Sequence, residues 1–232
     1  MTPPETGQLF PKITQPGLDE LRRRIGVPIT DTLEPWCHEA SRDNIRHYAH
    51  GIGDDNPLWC DPAYAARTRH RGIIAPPSFL FATSRIISGY VGGLAGVHAM
   101  WAGADWIWHQ PARRHDEITT EAWLKDLIEH ETRFAGRSVQ QIYHVKFRNQ
   151  RGELLAEADS WCFRTERDHA RERGSKYTDV KRRPPTRYSD EALAEVYRLY
   201  ANEEVRGAMP RYWQDVTVGE TLPKMAKGPM TV

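Results

Sequence analysis

The sequence predicts an α+β domain in which one long apolar helix is wrapped by a curved antiparallel sheet. The first observation is that residues 79–91 are apolar almost all round, as a buried helix is. The second is that four downstream segments alternate polar and apolar residues, the pattern of half-buried antiparallel strands. The third is the composition: 232 residues, 39% hydrophobic and 10% aromatic, supply a sizeable core and exclude a disordered chain.

The charge balance excludes several classes of partner. The chain has 32 Lys and Arg against 31 Asp and Glu, a formal net charge of +1. Proteins dedicated to nucleic acids or to anionic membrane surfaces usually carry a strong basic excess, so neither class is expected. No stretch supplies about 20 consecutive apolar residues, which excludes a membrane span. The first residues have no basic region followed by an apolar one, so no secretory signal is expected.

The cysteines indicate the compartment and exclude a metal site. Cys37, Cys60 and Cys162 are odd in number and widely spaced. This spacing matches neither a disulfide framework nor a zinc site, so a reducing, cytoplasmic compartment is expected. Phosphate-binding, nucleophile-elbow and zinc-helix motifs are also missing, and neither a metal nor a cofactor is predicted.

The elements that precede the sheet follow from capping residues. Residues 1–40 are scattered with prolines and read as a lead-in. A helix is predicted over residues 41–51, because Ser41 can cap its first turn and Asp43 complements the helix dipole. The turn sequence GDDNP follows, and a short helix is predicted over residues 61–66. The long apolar helix over residues 79–91 starts after Pro76 and Pro77, because proline is tolerated in a first helical turn.

Four strands are predicted after the apolar helix, since side chains of one kind recur at every second position. They cover residues 100–108, 118–124, 139–147 and 154–163. A basic linker is predicted over residues 166–188, because the overlapping stretch 164–187 has nine Lys or Arg and four Asp or Glu. A helix is predicted over residues 189–207, because Ser189 can cap it and acidic residues follow. Residues 208–232 form the last predicted segment, and within it Val216 and Val218, followed by a turn at Gly219, indicate the start of a strand.

One motif carries the chemistry. The segment Ile45 to Ala65 contains GDDNP (residues 53–57), and GIIAPPSFL follows at residues 72–80. Here the chain resembles the MaoC-like hydratases and dehydratases of the hotdog superfamily, in particular the N-terminal half of double-hotdog acyl dehydratases. This half is also called the fatty-acid-synthase-like dehydratase domain. The resemblance implies a hotdog domain over residues 41–165, and residues 208–232 resemble the opening of a second hotdog.

The resemblance also implies an activity and a site. Members of this family add water to an enoyl thioester, or remove it from a 3-hydroxyacyl thioester, with an Asp and a His that share one water. Asp54 falls on the acid position, but Trp59 stands where the family has His, and an indole does no acid–base work near neutral pH. The oxyanion donor of the family is a backbone N–H at the position of Pro76 and Pro77, and proline has no N–H.

These departures imply the substrate-binding half of a two-hotdog enzyme. Asp54 is then the one candidate catalytic residue of this chain. Six further positions are candidates for substrate binding: Asn56, Pro57, Trp59, Pro76, Pro77 and Ser78. The implied substrate is a thioester of coenzyme A or of acyl carrier protein. The implied partner is a second hotdog, in a homodimer or a heterodimer.

Alternatives remain open at the level of the sequence. Asp54 can act only as a cap of its turn, and His47 or His50 can replace the missing histidine. A non-catalytic acyl-binding or scaffold module would also lack the His and the oxyanion donor. A hotdog thioesterase would instead use Asp54 to activate water at the thioester carbonyl. Fold analogy alone does not separate these functions.

Overall fold

The computed structural model describes residues 10–30, 34–87, 92–132, 136–167, 187–204, 207, 209 and 211–228. The chain divides into two compact units, Met1–Lys176 and Tyr177–Val232. The division falls inside the predicted basic linker, of which residues 168–186 lie outside the described residues. Within the described part, no helix has the length and apolar character that crossing a membrane requires.

A four-stranded antiparallel sheet forms the frame of the first unit. Its strands are β1 (His98–Trp108), β2 (Thr119–Thr132), β3 (Gly136–Arg148) and β4 (Leu154–Thr165). They lie in the order β1-β4-β3-β2, and every neighbouring pair is antiparallel. The four predicted strands are therefore confirmed, and the α+β class with them.

Burial along the strands explains why the alternating pattern was informative. On β3, Val139, Tyr143, Val145 and Phe147 are buried, and the residues between Val139 and Phe147 alternate between buried and half-buried. The edge strand β1 differs, since Met100, Trp101, Ile107 and Trp108 are 48–60% exposed. This sheet therefore has a well-covered centre and one strongly apolar edge.

The described part of the first unit contains four short helices. They are α1 (Gln15–Arg22), α2 (Arg42–Gly51), α3 (Pro57–Cys60) and α4 (Pro62–Ala66). The predicted helix over residues 41–51 is confirmed as α2, whose cap is Ser41: its hydroxyl accepts a hydrogen bond from the Asn44 N–H at 3.2 Å. Ile45 and Ala49 place the buried face of α2 in the core.

The apolar segment after Pro76 is buried as predicted but takes another form. Residues Pro77–Thr83 make a 3₁₀ helix, and Ser84 is extended (φ −148°, ψ 129°). The expected α-helix over residues 79–91 is therefore not continuous in the described residues, and residues 88–91 lie outside them. The Thr83 hydroxyl bonds back to the Leu80 carbonyl at 3.0 Å, and such local side-chain bonds compete with an α-helical ladder.

The predicted lead-in contains structure that the sequence pattern did not indicate. Leu18 and Leu21 of α1 are buried in the core. The chain then runs beside β2, where the N–H groups of Gly26 and Ile29 donate to the carbonyls of Leu124 and Ala122 at 2.9 and 2.7 Å. This segment covers part of the β2 edge of the sheet.

The second unit contains helix α5 (Asp190–Ala201) and a 3₁₀ turn, Trp213–Asp215. The predicted cap is confirmed, since the Ser189 hydroxyl accepts from the Ala192 N–H at 3.2 Å, but α5 ends at Ala201 rather than at residue 207. Val216 and Val218 are exposed and form no strand in residues 211–228. A strand needs a neighbour that satisfies its backbone groups, and the predicted strand is not formed in these described residues.

Candidate functional site

The turn that carries the sequence motif lies between α2 and α3. Gly53 has a left-handed backbone (φ 66°), which glycine adopts without a steric penalty. The Asp54 N–H then donates to the Ala49 carbonyl at 2.9 Å, which ties the turn to α2. The motif glycine therefore serves the shape of the turn.

The polar side chains of the motif bond within the turn itself. The Asp54 carboxylate accepts from the Asn56 N–H at 3.1 Å. The Asn56 side-chain oxygen accepts from the Leu58 N–H at 3.0 Å and caps α3, whose first residue is Pro57. Both are local Asx bonds of the kind that stabilise turns. This geometry favours the capping interpretation of Asp54.

A cleft of about 390 Å³ opens next to this turn. Its lining combines aromatic and proline side chains with a few polar groups, as in many small-molecule sites. The lining residues are Leu58, Trp59, Arg69, His70, Ile74, Ala75, Pro76, Pro77, Leu80, Trp108, His109, Gln110, Pro111 and Ala112.

The cleft brings together three of the seven predicted site residues. Trp59, Pro76 and Pro77 line it, although Trp59 precedes Pro76 by 17 positions in the chain. Asp54, Asn56, Pro57 and Ser78 are not among its lining residues. The carbonyl of Ser78 instead accepts from the Tyr48 hydroxyl at 2.6 Å, which fixes α2 against the 3₁₀ helix. His47 and His50 are exposed on α2 and do not line the cleft either.

Trp59, which the resemblance places at a histidine position, has an unusual environment. Its ring packs against the core, and its indole nitrogen is buried without a hydrogen-bond partner in the described part of the chain. An indole N–H only donates, so Trp59 cannot remove a proton from water. Its contribution to the cleft is an apolar wall.

An aromatic stack supports Trp108, another residue that lines the cleft. The Trp108 ring stacks on Trp106 at 5.3 Å and 10°, and Trp106 stacks on the fully buried Phe147 at 5.3 Å and 23°. Trp108 therefore extends a rigid column that starts in the core of the sheet. The sequence alternation placed these tryptophans on β1 but did not show that one of them reaches a cleft.

The polar residues of the cleft were missed by sequence reasoning. Arg69, His70, His109 and Gln110 lie on two loops that are distant in sequence. The loops meet through two backbone hydrogen bonds. The Ala75 N–H donates to the Ala112 carbonyl at 2.8 Å, and the Arg114 backbone N–H donates to the Ile73 carbonyl at 3.2 Å. Each residue alone looks like an ordinary polar loop residue, so no sequence signal marked them.

Two titratable groups near the cleft have shifted pKa values. Burial lowers the pKa of His70, and the positive charges of Arg69 and Arg113 lower it further, so its imidazole is neutral at neutral pH. Burial raises the pKa of the Cys60 thiol, and the carboxylates of Asp55 and Asp54 add to this. Cys60 therefore stays protonated and is a poor nucleophile.

Comparison with known proteins places the chain in a class. A solved structure, the ChsH1-ChsH2 complex from Mycobacterium tuberculosis, superposes with a TM-score of 0.50 at 18% identity, over 66% of this chain and 95% of that one. The (R)-hydratase from A. caviae involved in PHA biosynthesis matches with a TM-score of 0.45 at 20% identity, over 59% and 100%. The first of these superpositions shows the fold of the chain, which is the hotdog fold.

A family model that matches the sequence identifies the family of the chain. The family model described as "FAS1-like, dehydratase domain region" matches residues 25–158, more than half of the chain, so the chain belongs to this family. A UPF0336 protein of Streptomyces avermitilis is 29% identical over 95 residues, 39% of this chain and 63% of that protein. The UPF0336 protein Franean1_6066 of Parafrankia sp. is 29% identical over 127 residues, 51% of this chain and 79% of that protein. The match thus spans less than two thirds of the length of the first relative.

Proposed function

We propose that this chain is the substrate-binding half of an acyl-thioester hydratase or dehydratase, and that a second hotdog supplies the catalytic acid–base pair. The observation that carries the proposal is the cleft itself. It joins Trp59, Pro76 and Pro77, three positions where the resemblance implies a catalytic histidine and an oxyanion donor. Here the same three positions form an apolar wall.

The chemistry of the cleft suits binding better than turnover. Hydration of an enoyl thioester needs a group that moves a proton of water and a donor that stabilises the developing negative charge on the thioester oxygen. Asp54 is engaged by its own turn, and Pro76 and Pro77 have no N–H to donate. The faces of Trp59 and Trp108 instead bury hydrocarbon, which contributes to binding in proportion to the apolar area covered.

The thioesterase alternative has less support. That reaction would require Asp54 to activate a water at the thioester carbonyl. The Asp54 carboxylate accepts the Asn56 N–H, and the residue is not among those that line the cleft. The non-catalytic scaffold alternative predicts no turnover in any assembly, so adding a hotdog partner distinguishes it from the main proposal.

The partner is expected at the β1 edge of the sheet. Met100, Trp101 and Ile107 are exposed there, and a long edge strand with few charged residues is a template for pairing. A homo- or heterodimer with another hotdog would cover this edge. A cytoplasmic location is part of the proposal, because Cys37, Cys60 and Cys162 are all free thiols.

A matched pair of tryptophan variants tests the cleft. Trp108→Ala should weaken binding of a medium-chain trans-2-enoyl-CoA by at least about tenfold, or about 1.4 kcal/mol, because it removes one wall. Trp101→Ala is the control: Trp101 is on the same strand and equally exposed, at 48% against 49%, but does not line the cleft. Isothermal titration calorimetry measures both affinities. Equal losses in the two variants, or none in Trp108→Ala, would contradict the proposal.

A further inference from the structure

Two basic loops meet at one side of the cleft. The first contains Arg67, Arg69, His70 and Arg71, and the second contains Arg113 and Arg114; together these six residues are called the basic rim. The Arg113 guanidinium donates to the His70 carbonyl at 2.6 Å and so joins the two loops. Arg69 and His70 themselves line the cleft, so the basic rim is continuous with its apolar walls.

The arginines of the basic rim have no ion-pair partner within the described part of the chain, although the charge of Arg113 acts on Glu153 at longer range. None of its five arginines forms an ion pair with a described carboxylate. This contrasts with Arg22, which is paired with Asp19 and Glu129.

The acids nearest to the second loop already have other partners. Asp116 accepts from the Arg151 guanidinium and from the Arg113 backbone N–H at 3.0 and 2.8 Å. The Glu153 carboxylate accepts from the Arg151 guanidinium at 2.8 Å and from the Asn149 side-chain amide at 2.7 Å. These carboxylates therefore leave the guanidinium groups of the basic rim available for a ligand.

Two cations of the basic rim lie close to the same imidazole. Burial lowers the pKa of His70, and the charges of Arg69 and Arg113 lower it further. Arg114 is half-buried, and its Nε atom is buried without a hydrogen-bond partner in the described residues. An apolar cleft bordered by unpaired guanidinium groups fits a ligand with a hydrocarbon part and an anionic part.

We infer that the basic rim binds the phosphate groups of the thiol carrier, while the acyl chain enters the cleft between Trp59 and Trp108. This inference rests on the proposed function, in which the cleft holds an acyl thioester. Guanidinium groups bind phosphate through paired, charge-assisted hydrogen bonds. A fatty carboxylate would need one cation, whereas several unpaired arginines on two joined loops match a polyanion. The phosphate can belong to coenzyme A or to the phosphopantetheine arm of a carrier protein.

The test compares carriers that differ in phosphate. Coenzyme A, 3′-dephospho-coenzyme A, 4′-phosphopantetheine and pantetheine are titrated into the wild-type chain and into Arg69→Gln/Arg113→Gln. We expect the double variant to bind coenzyme A at least about tenfold more weakly and pantetheine as before, since each lost charged hydrogen bond removes phosphate affinity. Added salt should also weaken coenzyme A binding. The inference is overturned if pantetheine binds as tightly as coenzyme A, or if the variant binds coenzyme A unchanged.

Controls separate this inference from a folding defect and from the proposed function. Arg23→Gln/Arg46→Gln changes two exposed arginines away from the basic rim and should leave coenzyme A binding unchanged. Arg69→Gln alone keeps the Arg113 bond to His70 and should still lose part of the affinity. Equal binding of coenzyme A and 4′-phosphopantetheine supports recognition of the arm phosphate, and tighter coenzyme A binding supports recognition of the nucleotide phosphates as well.

An enoyl-pantetheine, which has an acyl chain but no phosphate, tests the cleft independently. If enoyl-pantetheine binds the wild type and the rim variants with equal affinity, and coenzyme A also binds both with equal affinity, the inference fails and the proposed function stands. If the acyl chain adds no affinity while coenzyme A still depends on Arg69 and Arg113, the proposed function fails and phosphate binding by the rim stands.

Discussion

Replacing Arg164 with methionine is expected to lower the free energy of unfolding by about 3–5 kcal/mol, because three loop carbonyls and the buried side chain of Gln141 lose their donor together. Arg164 is 2% exposed in the centre of the first unit. Its guanidinium donates to the Gln141 side chain at 2.8 Å and to the carbonyls of Gly93, Leu94 and Val97. All of these acceptors are neutral, so the arginine acts as a clamp on the chain that leads into β1.

Methionine fills much of the volume of the arginine stem but has no donor. Urea denaturation followed by tryptophan fluorescence measures the loss, and Arg46→Met on the exposed face of α2 is the control, with an expected change within about 0.5 kcal/mol. Arg164→Lys should recover only part of the stability, because a compact ammonium lacks the planar fork that reaches several carbonyls at once. A loss below about 1 kcal/mol for Arg164→Met would show that the loop carbonyls find other donors.

Phe147→Ala is expected to destabilise the chain by about 3–5 kcal/mol, as large-to-small changes of buried aromatics do. Phe147 is fully buried on β3 and supports the stacked rings of Trp106 and Trp108. The same substitution should therefore loosen a wall of the cleft and weaken enoyl-CoA binding. The effect on binding distinguishes a supported wall from a merely adjacent core residue.

The measurement for Phe147→Ala combines denaturation with calorimetric titration of the folded variant. Phe147→Leu is the graded control, and we expect it to lose about 1–2 kcal/mol and to bind more nearly like wild type, because it leaves a smaller cavity. If Phe147→Ala loses stability but binds enoyl-CoA normally, then the aromatic column does not hold the position of Trp108.

The sheet was predictable because its signal is local and periodic. From Val139 to Phe147 on β3, every second residue is buried and the residues between them are half-buried. This period of two is visible in the sequence. The caps Ser41 and Ser189 were predictable for a similar reason, since a cap bonds to an N–H three residues away. Structural features that depend on residues only a few positions apart were therefore predicted correctly from the sequence.

The remaining elements depend on contacts that the sequence pattern does not show. The segment around Gly26 and Ile29 joins the edge of β2, almost 100 positions later, so its prolines suggested only a lead-in. The apolar stretch after Pro77 was read as one α-helix, but apolar composition reports burial and not the type of helix. Burial was predicted correctly and geometry was not.

Sequence reasoning likewise identified only some residues of the candidate site. The motif led to Trp59, Pro76 and Pro77, and the structure places these three in one cleft. It did not lead to Arg69 or His70, because these reach the cleft only through the pairing of residues 73–75 with residues 112–114. Asp54 was marked by the resemblance, while its actual partner is the N–H two residues ahead.

The most direct test of the account asks whether this chain alone binds an enoyl thioester without hydrating it. A medium-chain trans-2-enoyl-CoA is titrated into the chain, and its enoyl absorbance is followed in the same samples. The account predicts saturable binding, no loss of absorbance, and the same affinity for Asp54→Asn, with hydration appearing when a hotdog that has the complete Asp and His pair is added. Loss of the absorbance with the chain alone, abolished by Asp54→Asn or by His70→Gln, would contradict the account and place a working catalytic site in this chain.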